Sequence, residues 1–369
     1  MESLVMQNIF GGVYYGKKIL LTGHTGFKGS WLTYWLHKMG AEVHGLSLGK
    51  ISTPNHYDLL NLPINSITAD IRNYNQLNEI IGKIQPEIVF HLAAQSLVRP
   101  SYKDPLSTLE TNIIGTANIL QACRDCVSVR AIINVTSDKC YENKETGQSY
   151  NEKDPMGGYD PYSVSKGCSE LITNSFRNSF FNITDYNIKH KILLASGRAG
   201  NVIGGGDWAE DRLIPDTMRA VAKNKQVIIR YPKATRPWQH VLEPLSGYLL
   251  TGQKLMEGNI KFATGWNFGP LSNESYTVEE ILIATQSFWP NVNYLIEKSR
   301  QPHEAKFLQL DCSNAFNIMN WQPVWDHHKT IEYTICWYKD YYLHNQIDTC
   351  KHIETYVQDA KDKKYIWTT

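Results

Sequence analysis

Long apolar runs are missing from this chain of 369 residues. None approaches the ~18–20 residues needed to span a bilayer, and "MESLVMQNIFGG" lacks the basic start and apolar centre of a secretory leader. A soluble, cytoplasmic protein is expected. No excess of one charge is present either: Lys and Arg total 37 against 36 for Asp and Glu, with both signs scattered, which argues against a nucleic-acid-binding face or an acidic tail. Cysteines number seven, odd and dispersed in a chain large enough to need no disulfide framework, so reduced thiols are expected. Cys123 and Cys126 have the gap of half a metal site, but no second Cys or His pair stands at a matching spacing, and no metal is expected. Internal repeats and low-complexity linkers are absent as well.

What is present is a hydrophobic content of 42%, enough for a large core and, at this length, two lobes around a cleft. The first half alternates short β-branched runs with helical stretches, the pattern of an α/β fold with a doubly wound parallel sheet. Strands are expected at "KKILLTG", "AEVHGLSL", "NSITAD", "PEIVFHLAA", "VRAIINVTS" and "KILLASGRAG". Helices are expected from about Gly29 to Met39, Asn75 to Lys83, Pro105 to Cys123 and Pro161 to Phe180. From Asn201 the alternation breaks into loops such as "GGGDWAEDRLIP", marking a smaller C-terminal substrate lobe. "TIEYTICWYKDYYLHNQ" reads as a packing helix and "DAKDKKYIWTT" as a solvated tail.

Gly23, Gly26 and Gly29 follow the first strand and open a helix, within "TGHTGFKGSWL". In that context the first glycine allows the tight turn, the second clears space for a pyrophosphate, and the third lets helix and strand pack closely; the helix N-terminus then faces the anion. Thr25, Phe27 and Lys28 belong to the same dinucleotide-binding loop. The second strand ends in "HGLSLGK" without an acid and with Lys50, so this loop leaves NAD and NADP both open. Asp70 and Ile71, at the end of the third strand, are placed to flank an adenine.

A Tyr followed four residues later by Lys puts both on one helix face. Tyr14/Lys18, Tyr34/Lys38 and Tyr162/Lys166 all fit, but only the last follows the fifth strand, after the polar end "NVTSDK". A tyrosine titrates near ~10, and making it a base near pH 7 takes roughly 4 kcal/mol, which Lys166 and a positive nicotinamide ring supply by favouring phenolate. Thr136 is expected to share the proton at the same substrate oxygen, with Asp138 on the same side of an extended strand.

These residues resemble the extended short-chain dehydrogenase/reductases and, within them, the sugar-nucleotide 4,6-dehydratases. The blocks that carry the resemblance are "TGHTGFKGSWL", "TSDKCYEN", "MGGYDPYSVSKGCSE", "RAGNVIGGGDWAEDRLIPD", "RPWQHVLEPLSGY", "WNFGP" and "PHEA", spread from about Gly16 to Tyr342. The resemblance implies a Rossmann domain over residues 1–198 and a sugar-nucleotide lobe over 199–369, with a segment near 235–270 returning to the first domain. It implies NAD as cofactor, CDP-glucose as substrate, and a homodimer through a four-helix bundle. It implies a lyase serving deoxysugar and surface-polysaccharide synthesis. Tyr162 then oxidises C4 with Lys166 and Thr136, Asp138 is the acid that expels water, and Lys139 is the C5 base. That last assignment departs from the dTDP-glucose relatives, which carry Glu there, so Lys139 either acts as a neutral amine or only pairs with Asp138. Leu92, Ala93 and Ala94, with His91 and Gln95, are expected along the nicotinamide side, and Asn112 beneath it. Gln95, Asn201, Arg212, Arg236 and His303 are expected to hold the sugar nucleotide. An NDP-sugar epimerase or reductase would share the loop and the Tyr/Lys pair but has no need of "TSDK"; a non-catalytic dinucleotide sensor would need neither pair nor turn.

Overall fold

A computed structural model of the chain describes residues 6–50, 52–144, 147–270, 275–297 and 308–369. All six strands expected in the first half form: β1 (Lys18–Thr22), β2 (Glu42–Ser47), β3 (Asn65–Thr68), β4 (Ile88–His91), β5 (Ala131–Val135) and β6 (Leu193–Ala199). A seventh, β7 (Gly265–Phe268), adds to the edge, and the parallel sheet runs in the order β7-β6-β5-β4-β1-β2-β3. The chain reverses its winding between β1 and β4, whose register sets Thr22 opposite His91, and ligands of such sheets bind at that crevice. β4, β5 and β6 are buried along their whole length because helices cover both faces, which is why they read as apolar runs rather than alternating ones.

The helices that position the site are α1 (Phe27–Lys38), α2 (Tyr74–Ile84), α3 (Pro105–Leu109), α4 (Gly115–Arg124) and α5 (Pro161–Ser179). The stretch expected as one helix from Pro105 is divided by a π turn at Glu110–Ile114, which carries Asn112 inward. α5 starts where its sequence says it should: Asp160 accepts from the Ser163 N–H (3.0 Å), and Pro161 occupies the first turn, where its missing N–H costs nothing. Beyond β6 come α6 (Leu213–Ala222), α7 (Leu242–Met256), α8 (His327–His344) and α9 (Thr349–Asp362).

α8 is the packing helix read from its aromatic stripe, with Trp337 and Tyr338 fully buried. The tail is not the solvated segment expected. Trp367 is 0% exposed, stacked on Phe10 at 4.9 Å and on Tyr356 at 5.9 Å. Trp35 lines the same slot, and burying an indole outweighs the polar residues before it. Glu243 of α7 locks this end of the molecule by accepting from the Val324 and Trp325 N–H groups (2.9 and 2.8 Å) and the Tyr356 hydroxyl (2.6 Å).

Between α1 and α9 lie three buried histidines around Trp31. His56 bridges Ser30 and Thr349, each at 2.8 Å, while His240 and His352 pack ring against ring at 6.2 Å. Burial pushes His56 and His352 down to about 3 and His240 well below its usual value. The unfolded chain protonates these rings below about pH 6.5 while the folded chain does not, so stability is present above that pH and is lost as pH falls toward 3. Glu243, pushed up to about 7 by burial, works in the opposite sense with a single proton. Thermal unfolding between pH 7 and 5 should therefore show Tm falling with pH, and His352→Phe should flatten that slope; an unchanged slope would show that the cluster does not set it.

Candidate active site

The glycine loop is built from two close approaches. Gly23 turns the chain at φ +77, and a Cβ there would stand 2.8 Å from the Ala93 nitrogen. A Cβ on Gly29 would collide with the Gly23 carbonyl oxygen. The helix that follows begins at Phe27 with no side-chain cap and no acidic residue in its first turn, so its free N–H groups and positive dipole end open into the cleft. That uncapped terminus fits a phosphate, and the loop fits a dinucleotide.

One cleft of about 730 Å³ runs from this loop to segments beyond β6. It is bordered by Gly23, Thr25, Gly26, Phe27, Lys28 and Gly29, by Ile71 and Leu92 to Gln95, by Thr136, Asp138 and Lys139, by Tyr162 and Lys166, and by Asn201, Arg212 and Arg236. Residues read from stretches far apart in the sequence thus share one cleft. Asp70 is not among them: its carboxylate is held by Arg72 at 2.7 Å, and Ile71 and Arg72 border the cleft instead. His91 also lies elsewhere, buried beneath the sheet between Thr22 (2.7 Å) and Thr116 (3.3 Å). The Gln95 amide is engaged by Leu97 and Thr108, and its backbone is clamped by Asn112, whose own amide reaches Ser165. Lys50 pairs with Asp58 at 2.7 Å. His303 lies outside the described residues.

The catalytic turn differs from the alternating strand expected of it. β5 ends at Val135, and after an extended Ser137 the chain enters a 3-10 turn, Asp138–Cys140. The Thr136 hydroxyl is consequently directed at Glu170, 2.5 Å away, and Ser137 takes the place assigned to Thr136 beside the tyrosine: its hydroxyl hydrogen-bonds Tyr162 and lies 2.8 Å from Asp138 Oδ1. Ser137 and Glu170 escaped the sequence reading. Glu170 had a signal, standing four residues after Lys166 on the same helix face.

Burial dominates the electrostatics. It pushes Tyr162 up to about 12, with the Ser137 hydrogen bond and Arg212 acting to lower it. Lys166 is pushed down to about 8, with its ammonium directed at the Val135 carbonyl (3.5 Å). Lys28 is pushed down to about 7 by burial and then by Lys166 and Arg212, and it donates to the Tyr248 hydroxyl at 3.4 Å. Asp138 is raised above the usual carboxylate range by burial, against Lys139 and the Ser137 hydrogen bond. A phenol and a carboxyl raised above its usual range, both beside one serine, can move protons at two neighbouring positions of one substrate. Tyr159, three residues upstream of Tyr162, is 78% exposed.

A glycine loop, a Tyr/Lys pair and an adjacent acid in one cleft define a short-chain dehydrogenase/reductase that acts on sugar nucleotides. The family model described as GDP-mannose 4,6 dehydratase matches residues 20–334, and the chain belongs to that family. It is 49% identical over 88% of its length, and 91% of the relative's, to a CDP-glucose 4,6-dehydratase of Salmonella typhimurium. Among solved structures it is similar to an epimerase of Methanothermobacter thermautotrophicus (TM-score 0.77, 23% identity, 92% of this chain and 96% of that one). It is also similar to a dTDP-glucose 4,6-dehydratase of Streptomyces venezuelae (TM-score 0.72, 21% identity, 88% and 97%). Those two likenesses establish the fold.

The Ser137 hydrogen bond favours the tyrosinate, so its removal raises the Tyr162 pKa, and a base with a higher pKa loses its proton only at higher pH. In Ser137→Ala the acid limb of the pH–rate profile should move upward, whereas Thr136→Val should leave that limb in place. The reverse pattern would return Thr136 to the position read from the sequence.

Proposed function

We propose that the protein is an NAD-dependent CDP-glucose 4,6-dehydratase, converting CDP-glucose to CDP-4-dehydro-6-deoxyglucose and water. The observation that carries this reading is Asp138, a carboxyl raised by burial and one hydrogen bond from the serine that touches Tyr162. An oxidoreductase alone has no use for an acid there; expulsion of a hydroxyl does. The 49% identity to a CDP-glucose dehydratase supports the nucleotide assignment.

Tyr162 accepts the proton of the glucose 4-hydroxyl, with Ser137 hydrogen-bonded to the same phenol and Lys166 supplying positive charge behind it. NAD contributes a reversible store for one hydride, removed from C4 and returned to C6. The resulting C4 ketone acidifies the C5 proton, which Lys139 takes from the cleft wall. Asp138 gives its proton to the 6-hydroxyl, which leaves as water. The C5–C6 alkene conjugated to the ketone then gains hydride at C6 and a proton at C5, so the sugar loses water overall and the reaction is redox-neutral. Arg212, which pairs with Asp207 at 2.7 Å, borders the cleft with Arg236 and Asn201; we assign the diphosphate to these residues, since planar guanidinium groups suit it.

The assembly we favour is a homodimer through α3, α4 and α5. Leu106, Ile114 and Leu171 are 71%, 52% and 57% exposed along these helices, apolar surface that a partner's helices would cover. Seven free cysteines and the lack, among the described residues, of any helix long and apolar enough to cross a membrane support a cytoplasmic setting.

Tyr162→Phe should lower turnover by about 10²–10⁴-fold while the protein still retains NAD. Asp138→Asn should oxidise C4 yet fail to expel water, leaving reduced nicotinamide on the protein, and Lys139→Met should slow solvent exchange at C5. CDP-glucose deuterated at C4 should yield product deuterated at C6 with no free NADH. Deuterium back at C4 would mean epimerisation, and NAD consumed mole for mole would mean simple dehydrogenation; either result refutes dehydration.

A further inference from the structure

The proposed chemistry leaves one buried charged pair unused. Glu170 and Arg198, both almost fully buried, form an ion pair at 2.9 Å directly beneath the catalytic turn. The Glu170 carboxylate accepts from the Thr136 hydroxyl (2.5 Å), the Ser196 hydroxyl (2.7 Å) and Arg198. Burial alone would raise it, but Arg198 and these hydrogen bonds hold it below the usual range, so it has no proton to give. Arg198 donates in turn to the Tyr141 hydroxyl (2.6 Å), which donates to Asn267 Oδ1 (2.7 Å). Thr136 and Tyr141 are the two ends of the turn that carries Ser137, Asp138 and Lys139. Glu170 lies on α5, four residues beyond Lys166 and eight beyond Tyr162, on the same face.

We propose that Glu170 and Arg198 are positioning residues that clamp both ends of the 136–141 turn to α5 and so hold the acid and base of elimination in register with the tyrosine of oxidation. The inference rests on the dehydratase reading above. Oxidation is addressed to C4 from α5, and elimination to C5 and C6 from the turn, while one sugar stays bound through both steps. The spacing between helix and turn therefore decides whether the second step follows the first. A buried ion pair is a weak source of net stability, because desolvating two charges offsets their attraction; direction is what it supplies here. Loosening the clamp leaves Tyr162, Lys166 and the glycine loop in place, with Ser137 still held by its own hydrogen bond to Tyr162, so oxidation proceeds. Asp138 and Lys139 move off C5 and C6, elimination lags, and the 4-keto sugar escapes before hydride can return, leaving NADH behind.

Thr136→Val and Tyr141→Phe each cut one tie and keep the ion pair. Ser196→Ala removes a hydrogen bond from the same carboxylate without touching the turn, and serves as the control for a purely structural loss. Each purified holoenzyme is mixed with CDP-glucose in a single turnover, with reduced nicotinamide followed by absorbance and the sugar nucleotides separated afterwards; thermal unfolding is recorded for all. The two turn variants should raise the share of turnovers ending in CDP-4-dehydroglucose and stranded NADH by about 10-fold, with Ser196→Ala within about twofold of wild type, since a misplacement near 1 Å costs up to about 10²-fold in rate. Glu170→Gln combined with Arg198→Met, which avoids an unpaired buried charge, should behave like the turn variants. Folded turn variants that partition as wild type does, or a Ser196→Ala shift as large as theirs, overturn the clamp. Wild-type protein that neither reduces its nicotinamide nor consumes CDP-glucose overturns the dehydratase reading, and the clamp's role with it.

Discussion

The contact between Gly29 and the Gly23 carbonyl is the constraint on which most of the molecule hangs. A side chain at Gly29 would force α1 away from β1, and one at Gly23 would collide with the backbone of Leu92 and Ala93, because both spaces are already filled. With that contact made, the N-terminus of α1 is delivered uncapped to the cleft, and Trp31 and Trp35 on the other side of the helix are delivered to the core. Trp31 reaches the Gly205 carbonyl in the loop beyond β6 (2.8 Å), and Trp35 meets Trp367 and Tyr356 at the end of the chain. One helix thus couples the dinucleotide site to the packing of both chain termini.

The part of the cleft wall nearest Tyr162 gathers cations around Asp138. Lys28, Lys166 and Arg212 stand with Asp138 in a space that burial makes poor in water, and each lysine is driven toward neutrality by burial before its neighbours act on it. Such a wall welcomes the negative charge of a dinucleotide and a sugar diphosphate and makes phenolate less costly once they bind. The same desolvation raises Asp138, so a single physical cause acts on the cations and on the acid.

Much of this was legible residue by residue. The six strands follow from apolar runs closed by glycine or polar ends, and α5 from Asp160-Pro161 at its start. The glycine spacing and the Tyr162/Lys166 pair located the two halves of the cleft. Alternation along a strand, carried past Val135 where the strand stops, put the Thr136 hydroxyl beside Tyr162, whereas it meets Glu170. A strand end brings Asp70 and His91 near the crevice without saying that Arg72 and Thr22 engage their side chains.

The sequence by itself determined which segments are strands and helices, where the anion-binding turn lies, and which tyrosine has a lysine on its face. Those are local properties of spacing and composition. Only the tertiary structure decided that Ser137 rather than Thr136 meets Tyr162, that Glu170 and Arg198 join beneath the turn, and that the polar tail buries Trp367. Each of these depends on atoms from chain segments far apart meeting within a few ångströms, and on which partner desolvates a group first, which no periodicity along one strand or helix encodes.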